Sequence, residues 1–391
     1  MPEAYIVEAL RTAGGRRNGR LAGWHPADLA GEVLNALLDR TGLDPAAVDD
    51  VILGCVTQAG EQSWHVGRNA VLASRLPDST PAVTIDRQCG SSQQAVHFAA
   101  QAVMSGTQEV VIAAGVESMT RAPMGSNWTL HAKAGVGVGP WSARIKERYG
   151  VEEFSQFTGA QMIADKYGFS REEMDAYALE SHRRAAAATQ AGAFEREIVP
   201  LNVTDADGNA AVHRTDEGIR PDASMTALGG LKTLKDGGTI TAGNASQMCD
   251  GAAAVLVVSE GALKAHGLTP IARVHHMAVT AGDPVIMLEE PIPATRRALS
   301  RAGMTLDDLD LYEVNEAFAS VPMAWLRALD ADPARLNVNG GAIALGHPLG
   351  ATGAKLMATL VHALRARGGR YGLQTMCEGG GIANATIVEA L

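Results

Sequence analysis

Short apolar runs alternate with longer amphipathic stretches near the start of the chain. Strand-like apolar runs occupy residues 6–7, 51–53, 83–85 and 110–114. Residues 29–38 and 91–104 place apolar side chains three or four positions apart, as on one face of a helix. Apolar runs without polar alternation are typical of strands that are buried on both faces. The order of these elements predicts an α/β protein with a largely parallel sheet.

The middle of the chain has a different pattern. Residues 119–241 contain no strong apolar strand, whereas residues 171–190 are strongly helical. We interpret this stretch as an inserted, loop-rich and helical subdomain. The predicted domains are residues 1–118 plus 245–265 for a first half, residues 119–244 for the insertion and residues 266–391 for a second half.

The third part of the chain repeats features of the first. Residues 36–43 and 298–304 each combine the end of a helix, a glycine that caps it and an apolar residue. In both parts a turn then opens a later helix, at Cys89 in the first and at residues 350–353 in the second. The preferred interpretation is a duplicated α/β half, and the alternative is the general similarity of βαβ units.

Composition narrows the class of protein. The chain has 391 residues, of which 46% are hydrophobic, so it can bury a sizeable core. A net charge of −10 argues against a nucleic-acid-binding protein. The longest apolar run, residues 251–258, is too short to span a bilayer, and no targeting segment is visible. The four cysteines form no C-x-x-C motif, which excludes a disulfide scaffold and favours a reducing compartment, the cytoplasm.

Two of the cysteines lie in turns where a reactive thiol is expected. Cys89 follows a predicted strand and precedes a helix, where unpaired N–H groups favour a thiolate and can hold an oxyanion. Cys377 precedes three consecutive glycines, whose N–H groups can approach a substrate. The alternatives are a small buried hydrophobe for Cys89 and a flexible turn for Cys377. Cys55 and Cys249 are interpreted as structural.

A histidine and an asparagine are further candidates. His347 lies in the glycine-rich stretch 339–350, where it would act as a general base for a thiol, or else be an ordinary loop histidine. Asn315 follows a predicted strand at residues 311–314, the end at which α/β proteins place active sites. A helix N-cap is the alternative for Asn315.

We expect a local group of basic residues on the otherwise acidic surface where phosphates bind. Arg220, Lys232 and Lys235 flank the glycines before residues 239–246, although solvated surface charge is the alternative. Walker A, G-x-S-x-G and H-E-x-x-H motifs are absent from the sequence.

Taken together, these motifs resemble the thiolases, which make or cleave 3-ketoacyl-CoA. The resemblance covers nearly the whole chain. Its motifs are Arg11-Thr12, the Cys89 turn, residues 242–246 and 250–254, residues 315–318, residues 339–350 and residues 377–381. It implies two βαβαβαββ halves packed in five layers, with a loop domain inserted in the first half.

The resemblance also implies roles for individual residues. Cys89 would accept the acyl group, His347 would activate it, and Cys377 would exchange the α-proton of acetyl-CoA. The N–H groups of Cys89 and Gly379 would form one oxyanion hole. His347 and a water held by Asn315 would form the other.

The implied activity is that of an acetyl-CoA C-acyltransferase, with CoA and acetyl-CoA as substrates and no metal or redox cofactor. Arg220 and Ser246 match positions that bind CoA in the family, and Ala317 and Phe318 match positions near the pantetheine. A homodimer or homotetramer is expected, with a role in fatty acid β-oxidation and with no nucleic-acid or membrane partner.

Some residues depart from the family pattern. Thiolases usually have Gly at the position of Ser92 and Pro at that of Ala13. Residues 155–157 replace the usual His-Met-Gly at the acyl pocket, which, with residues 54–62, suggests bulky or steroid-derived acyl groups. Two other functions are weighed against a thiolase: a decarboxylating β-ketoacyl synthase, which lacks the second cysteine that Cys377 supplies, and a non-catalytic CoA-binding module.

Overall fold

The computed structural model describes residues 2–205 and 207–391. Its strands are β1 (Tyr5–Thr12), β2 (Gly15–Arg16), β3 (Asp50–Gly54), β4 (Ala82–Ile85), β5 (Val110–Ser118), β6 (Ile198–Val199), β7 (Leu201–Thr204), β8 (Ala210–His213), β9 (Cys249–Val258), β10 (Ala272–Ala281), β11 (Leu311–Val314), β12 (Tyr371–Glu378) and β13 (Ile382–Ala390). Its α-helices are α1 (Pro26–Thr41), α2 (Val66–Leu72), α3 (Ser91–Ser105), α4 (Ser126–Ala134), α5 (Ala143–Tyr149), α6 (Gln156–Tyr167), α7 (Arg171–Gln190), α8 (Met225–Gly229), α9 (Glu260–His266), α10 (Pro291–Ala302), α11 (Ser320–Leu329), α12 (Ala342–Leu345) and α13 (Thr352–Arg367).

The strand pairing repeats itself in the two halves of the chain. In the first half β3 pairs in parallel with β4 and β5, and β9 runs antiparallel between β5 and β1. In the second half β11 is parallel to β12, Tyr312 bridges in parallel to Leu336, and β13 runs antiparallel between β12 and β10. The same order occurs twice, so the predicted duplication is confirmed.

Five layers result from the way helices cover the two sheets. Helices α1 and α2 pack on the outer face of the first sheet. Helices α3 and α13 lie between the sheets, and α10 with α11 covers the outer face of the second. The sheets join at one corner, where Tyr5 and Ile6 of β1 pair with Arg273 and Ala272 of β10. The five-layer prediction is therefore confirmed.

Glycines end the helices where the sequence predicts them. Gly42 after α1 and Gly303 after α10 have φ angles of 66° and 67°, in the left-handed region that glycine tolerates. The helix predicted at residues 171–190 is observed as α7, and Ser170 opens it with a capping box to Glu173. No helix in the described residues is long and apolar enough to cross a membrane.

The segment between β5 and β9 contains strands that the sequence does not predict. Besides helices α4–α8 it holds β6, β7 and β8. Strand β6 adds in parallel to β1, and β7 forms a hairpin with β8. These strands were missed because they are two to four residues long and β7 alternates buried and exposed positions, which leaves no apolar run.

The N-termini of α3 and α13 touch in the central layer. A Cβ on Gly353 would overlap the backbone nitrogen of Gln93, so only glycine permits this approach. The backbone N–H of Ala354 donates to Ser92 Oγ at 2.9 Å. Ser92 stands where the family pattern has Gly. Its buried hydroxyl has a structural role here, because it joins the two halves of the molecule.

We predict that Gly353→Ala destabilises the protein by about 3 kcal/mol, because the added methyl must displace backbone. Ser92→Ala should cost about 1 kcal/mol for one lost buried hydrogen bond. Urea unfolding measures both changes. The control is Gly229→Ala, where a Cβ meets nothing within 4 Å; equal destabilisation in all three variants contradicts the account.

Candidate active site

Cys89 lies on a strained turn between β4 and α3. The preceding residue, Gln88, has a φ of 48°, which is unusual for a side chain other than glycine. This bend leaves Cys89 partly accessible, with its side chain packed against Val56, Met119 and Leu349. Backbone strain at such a turn is typical of a functional site, and here it accompanies a thiol packed against an apolar cluster.

Cys377 lies at the end of β12, fully buried and next to Cys89. Burial raises the pKa of its thiol well above the usual range, and the charges of Cys89 and Glu378 raise it further. The hairpin that follows turns on Gly380 and Gly381, whose φ angles are 86° and 75°. The structure therefore brings together two thiols that are far apart in the sequence.

Gly379 lies where the turn after Cys377 packs against the turn that carries Cys89. A Cβ on Gly379 would lie 2.8 Å from Gln88 Oε1, so its backbone packs against the residue before Cys89. The N–H groups of Cys89 and Gly379 accordingly belong to adjacent turns.

Glu378 places a buried carboxyl group beside the two cysteines. Its Oε1 accepts from the backbone N–H of Asn384 at 3.1 Å, whereas its Oε2 has no hydrogen-bond partner in the described residues. A Cβ on Gly90 would overlap this carboxyl group, so the glycine after Cys89 makes room for it. Burial raises the pKa of Glu378 well above its usual range, which favours the neutral acid.

The Cys89 thiol is protonated at rest. Burial is the largest cause that raises its pKa, to about 12, and the nearby carboxyl of Glu378 raises it further. The helix N-terminus, which the sequence suggested would favour a thiolate, does not outweigh desolvation. A reaction that uses this thiol as a nucleophile would therefore need a base to remove its proton.

The hydrogen bonds of His347 identify its basic nitrogen. Thr352 donates its hydroxyl proton to the carbonyl oxygen of Pro348 at 2.9 Å, so toward His347 Nδ1, 2.6 Å away, it acts as acceptor. Nδ1 then carries the proton and Nε2 carries the lone pair. Asn315 Nδ2 lies 3.4 Å from that Nε2.

Burial keeps His347 neutral. It lowers the pKa of the imidazole to about 3, and the charge of Lys355 contributes in the same direction. A neutral imidazole can accept a proton at physiological pH. In the described residues no hydrogen bond joins it to Cys89, and the two turns meet through Leu349, which packs with Cys89.

Asn315 is not a helix N-cap. Helix α11 begins at Ser320, and the residue at its N-cap position is Ala319. The backbone N–H of Asn315 donates to the carbonyl of Thr375, which fixes it beside β12. Its side-chain Oδ1 is buried and has no partner in the part of the chain described, so this polar atom is available to a water or a substrate.

Glu316 holds the loop that carries His347. Its carboxylate accepts from Ser181 Oγ at 2.7 Å and from the backbone N–H of Ile343 at 3.1 Å. Tyr177 and Asn337 donate to its other oxygen. A Cβ on Gly341 would overlap the Glu316 carboxyl, so this glycine is required for the contact.

Glu117, near the end of β5, holds backbone loops in place as Glu316 does. It accepts from the backbone N–H groups of Val56, Thr57 and Gly350, each at 2.9 Å. One buried carboxyl group thus fixes the loop after β3 in the first half and the turn after His347 in the second.

The residues expected to contact CoA fall into two groups. The N–H of Ser246 donates to the carbonyl of Ala317 at 2.9 Å, and Ala245 bridges to Phe318, so these positions are adjacent. Arg220 is exposed, and its backbone N–H donates to His182. Lys232 and Lys235 are exposed, and no group of three or more potential metal ligands occurs in the described residues.

The comparisons with known proteins agree with this geometry. Residues 4–261 match the model of the thiolase N-terminal domain, and residues 268–390 match that of the thiolase C-terminal domain. The chain belongs to the thiolase family. As a thiolase it is an acyltransferase, and nothing in the comparisons favours the synthase or the non-catalytic alternative.

Similar proteins match over almost their full length. A steroid 3-ketoacyl-CoA thiolase of Mycobacterium tuberculosis is 54% identical over 100% of this chain and 95% of that protein. A 3-ketoacyl-CoA thiolase of Cronobacter sakazakii is 42% identical over 100% of both chains. The crystal structure of human mitochondrial 3-ketoacyl-CoA thiolase has a TM-score of 0.90 at 39% identity, covering 100% of this thiolase and 99% of that chain.

Sequence analysis missed the residues that position the site. Glu117, Thr352 and Lys355 are buried polar groups that touch loops carrying Cys89 or His347. They have no local signature, because Glu117 binds backbone N–H groups 60 or more residues away, and the contacts of Thr352 and Lys355 with residues 345–347 depend on how the turn before α13 folds. The one available signal is a charged residue within an otherwise apolar helix or strand.

We predict that Thr352→Val lowers the rate of Cys89 acylation about tenfold or more, because the valine cannot accept from His347 Nδ1 and the basic tautomer is lost. Single-turnover acylation by acetyl-CoA measures the effect. Thr352→Ser, which keeps the hydroxyl, should retain most of the rate. Equal rates in Thr352→Val and the parent enzyme contradict the tautomer assignment.

Proposed function

We propose that this thiolase catalyses reversible, CoA-dependent cleavage of 3-ketoacyl-CoA through an acyl group carried on Cys89. The observation that supports this most strongly is the convergence of Cys89, Cys377 and His347 on adjacent buried turns. A thioester exchange needs a group that is both a good nucleophile and a good leaving group, and a thiolate is both.

In the direction of cleavage, Cys89 attacks the 3-keto carbon while His347 Nε2 takes the thiol proton. The bond between carbons 2 and 3 then breaks, which leaves the acyl group on Cys89 and the enolate of acetyl-CoA. Cys377 donates a proton to carbon 2 of that enolate. Acetyl-CoA departs, and the Cys377 thiolate takes the thiol proton of a second CoA, whose sulfur attacks the acyl-cysteine. The bond between Cys89 and the acyl group breaks, the Cys89 sulfur recovers its proton from His347, and the new acyl-CoA departs.

Separate groups would stabilise the two negative charges that form. The N–H groups of Cys89 and Gly379 face the oxyanion at the acyl carbon. His347, once protonated, and a water held by the unpartnered oxygen of Asn315 face the enolate oxygen. No metal or redox cofactor enters these steps.

For CoA itself we propose a site on the inserted segment, residues 119–244, and the loop that follows it. Arg220 would meet a phosphate, and Ser246, Ala317 and Phe318 would line the pantetheine. The exposure of the Arg220 side chain and the adjacency of Ser246 to residues 317–318 support this assignment.

Replacement of each cysteine separates the two half-reactions. Cys377→Ser should still gain an acetyl group on Cys89 from acetyl-CoA, but its condensation rate should fall at least about 100-fold, since the base is lost. Cys89→Ala should gain no acetyl group. Intact mass and a condensation assay measure both. An adduct on Cys89→Ala, or condensation by Cys377→Ser, contradicts the assignment.

A bulky acyl group is the proposed substrate class. Met124 packs beside Cys89, Gln156 reaches Met124, and the half-exposed Phe157 meets the ring of Phe318 at 5.7 Å. Met124 and Phe157 supply apolar surface on this side of Cys89, which would favour a bulky acyl group. Similarity to a protein named as a steroid 3-ketoacyl-CoA thiolase supports the same class.

We expect kcat/KM for long or cyclic 3-ketoacyl-CoA substrates to exceed that for acetoacetyl-CoA by about tenfold or more, because this apolar surface gains contacts with each added carbon. The measurement is CoA-dependent cleavage across a substrate panel. Met124→Trp should reduce this ratio while it spares acetoacetyl-CoA. A preference for acetoacetyl-CoA by the parent enzyme excludes the proposal.

A homodimer, or a tetramer built from dimers, is the proposed assembly. Strand β4 ends the strand order and pairs only with β3 in the described residues. Val83 on this strand is 41% exposed and Trp64, just before α2, is 81% exposed. An unprotected edge strand with apolar neighbours is suited to pairing with a second copy.

Val83→Lys should shift the protein toward monomer, because a lysine on the edge opposes strand pairing and places charge in an apolar contact. Light scattering after size exclusion measures the mass. The matched control is Val212→Lys on β8, an equally exposed strand valine remote from this edge. If both variants keep the mass of the parent enzyme, the assembly does not use β4.

For its compartment we propose the reducing cytoplasm. All four cysteines are free, and the proposed chemistry requires Cys89 and Cys377 to remain thiols.

A further inference from the structure

Four charged side chains form a fully buried cluster behind the loop that carries His347. Arg11 lies on β1, Glu197 just before β6, Asp216 in the inserted segment and Lys355 on α13, and none is more than 3% exposed. Each comes from a different part of the chain. Buried ion pairs are poor sources of net stability, so their presence calls for another explanation.

Three members of this cluster satisfy one another. Arg11 donates to both oxygens of Asp216, at 2.8 and 3.1 Å, and through Nε to Glu197 at 2.6 Å. The backbone N–H of Gly14 adds a donor to Asp216, and Thr359 Oγ adds one to Glu197. The hydrogen bonds of these three side chains are made among themselves and to Gly14 and Thr359, but one cation and two carboxylates leave a net charge of −1, which the ammonium group of Lys355 neutralises.

Lys355 lies beside the carboxylates but makes its close hydrogen bonds to the backbone. Its Nζ is 3.9 Å from Asp216 Oδ1, but it donates to the carbonyl oxygens of Leu345 at 2.5 Å and Gly346 at 3.1 Å. Those two carbonyls immediately precede His347. The buried ammonium group of Lys355 therefore fixes the backbone that leads to His347, the proposed base.

The backbone of residues 345–347, which Lys355 contacts, is also confined by other neighbours. Gly346 has a φ of 80°, and a Cβ there would lie 2.7 Å from Cys249 Sγ. On the other side the N–H of His347 donates to the carbonyl of Gln247. Lys355, Cys249 and Gln247 thus confine the backbone of residues 345–347 from different directions.

We propose that Lys355 is a positioning residue for His347, which it holds through the carbonyl oxygens of Leu345 and Gly346. It does not touch the reacting atoms. Its positive charge also opposes protonation of the imidazole, and burial acts in the same direction. The other charged groups facing Lys355 are Asp216, Glu197 and Arg11, with Cys249 as a neutral thiol neighbour.

This inference rests on the proposed role of His347 as base, and a purely structural role for Lys355 is the competing explanation. A structural role changes stability alone. Positioning and charge also change the acylation rate and its dependence on pH. The sign is fixed: removal of the ammonium raises the pKa of His347, so the loss of rate on acidification begins at a higher pH.

The test compares Lys355→Met with Thr359→Val, a variant on the same helix that disturbs the same cluster without contact to residues 345–347. Single-turnover acylation of Cys89 by acetyl-CoA is followed from pH 3 to 9, so that the range includes the acidic limb set by the lowered pKa of His347, about 3. Lys355→Met should lower the rate about 10- to 100-fold with an unchanged KM for acetyl-CoA, and its acidic limb should move upward. Thr359→Val should keep the rate and limb of the parent enzyme.

Lys355→Gln separates the two contributions, because it keeps a donor to the carbonyls and removes the charge. It should recover part of the rate but keep the displaced acidic limb. If neither variant folds, NMR of labelled histidine in the parent enzyme decides: His347 must remain the neutral Nδ1–H form below pH 5.

Lys355→Met with the same rate and acidic limb as Thr359→Val overturns the proposal, as does titration of His347 near pH 6.5 in the parent enzyme. His347→Ala distinguishes the two levels of the account. If it acylates normally, the proposed function itself fails. If it does not acylate and Lys355→Met does, only the positioning role fails.

Discussion

The contact between the N-termini of α3 and α13 is the constraint on which the site depends. Each helix follows a turn that carries a proposed catalytic residue, Cys89 before α3 and His347 before α13. Gly353 allows the two helix starts to touch, and Ser92 joins them with a hydrogen bond. Because both helices lie in the central layer, a shift of either one separates the thiol from the imidazole.

Buried carboxyl groups and one ammonium hold the turns around this contact. Glu117 fixes the loop after β3 and the turn at Gly350, Glu316 fixes the start of the glycine-rich loop, and Lys355 fixes its end. These groups bind backbone N–H or C=O, so their energy is used to set main-chain positions. The same burial that makes them effective raises the pKa of Cys89 and lowers that of His347. Proton transfer then has to accompany nucleophilic attack.

Much of the fold follows from local patterns. Apolar runs give β3 and β11 almost residue for residue and the first part of β5, which continues to Ser118. The capping glycines Gly42 and Gly303 indicate the duplication. Strands β6–β8 are not predicted because they are only two to four residues long and leave no apolar run. At the candidate site, His347 and Cys377 are predicted from the glycines around them, and Cys89 from its position between a strand and a helix. The ionisation state of Cys89 cannot be predicted from the sequence. Its position at a helix N-terminus suggests a thiolate, and only the packed structure shows the desolvation that opposes ionisation.

The central claim is that turns almost 300 residues apart in sequence place two thiols at one reacting centre. Treatment of the enzyme with a short bis-electrophile such as 1,3-dichloroacetone, followed by peptide mapping, tests it directly. The account predicts one three-carbon bridge that joins Cys89 to Cys377, and protection from this bridge by acetylation of Cys89. Separate single adducts on the two cysteines, or a bridge from Cys89 to Cys55 or Cys249, would contradict it.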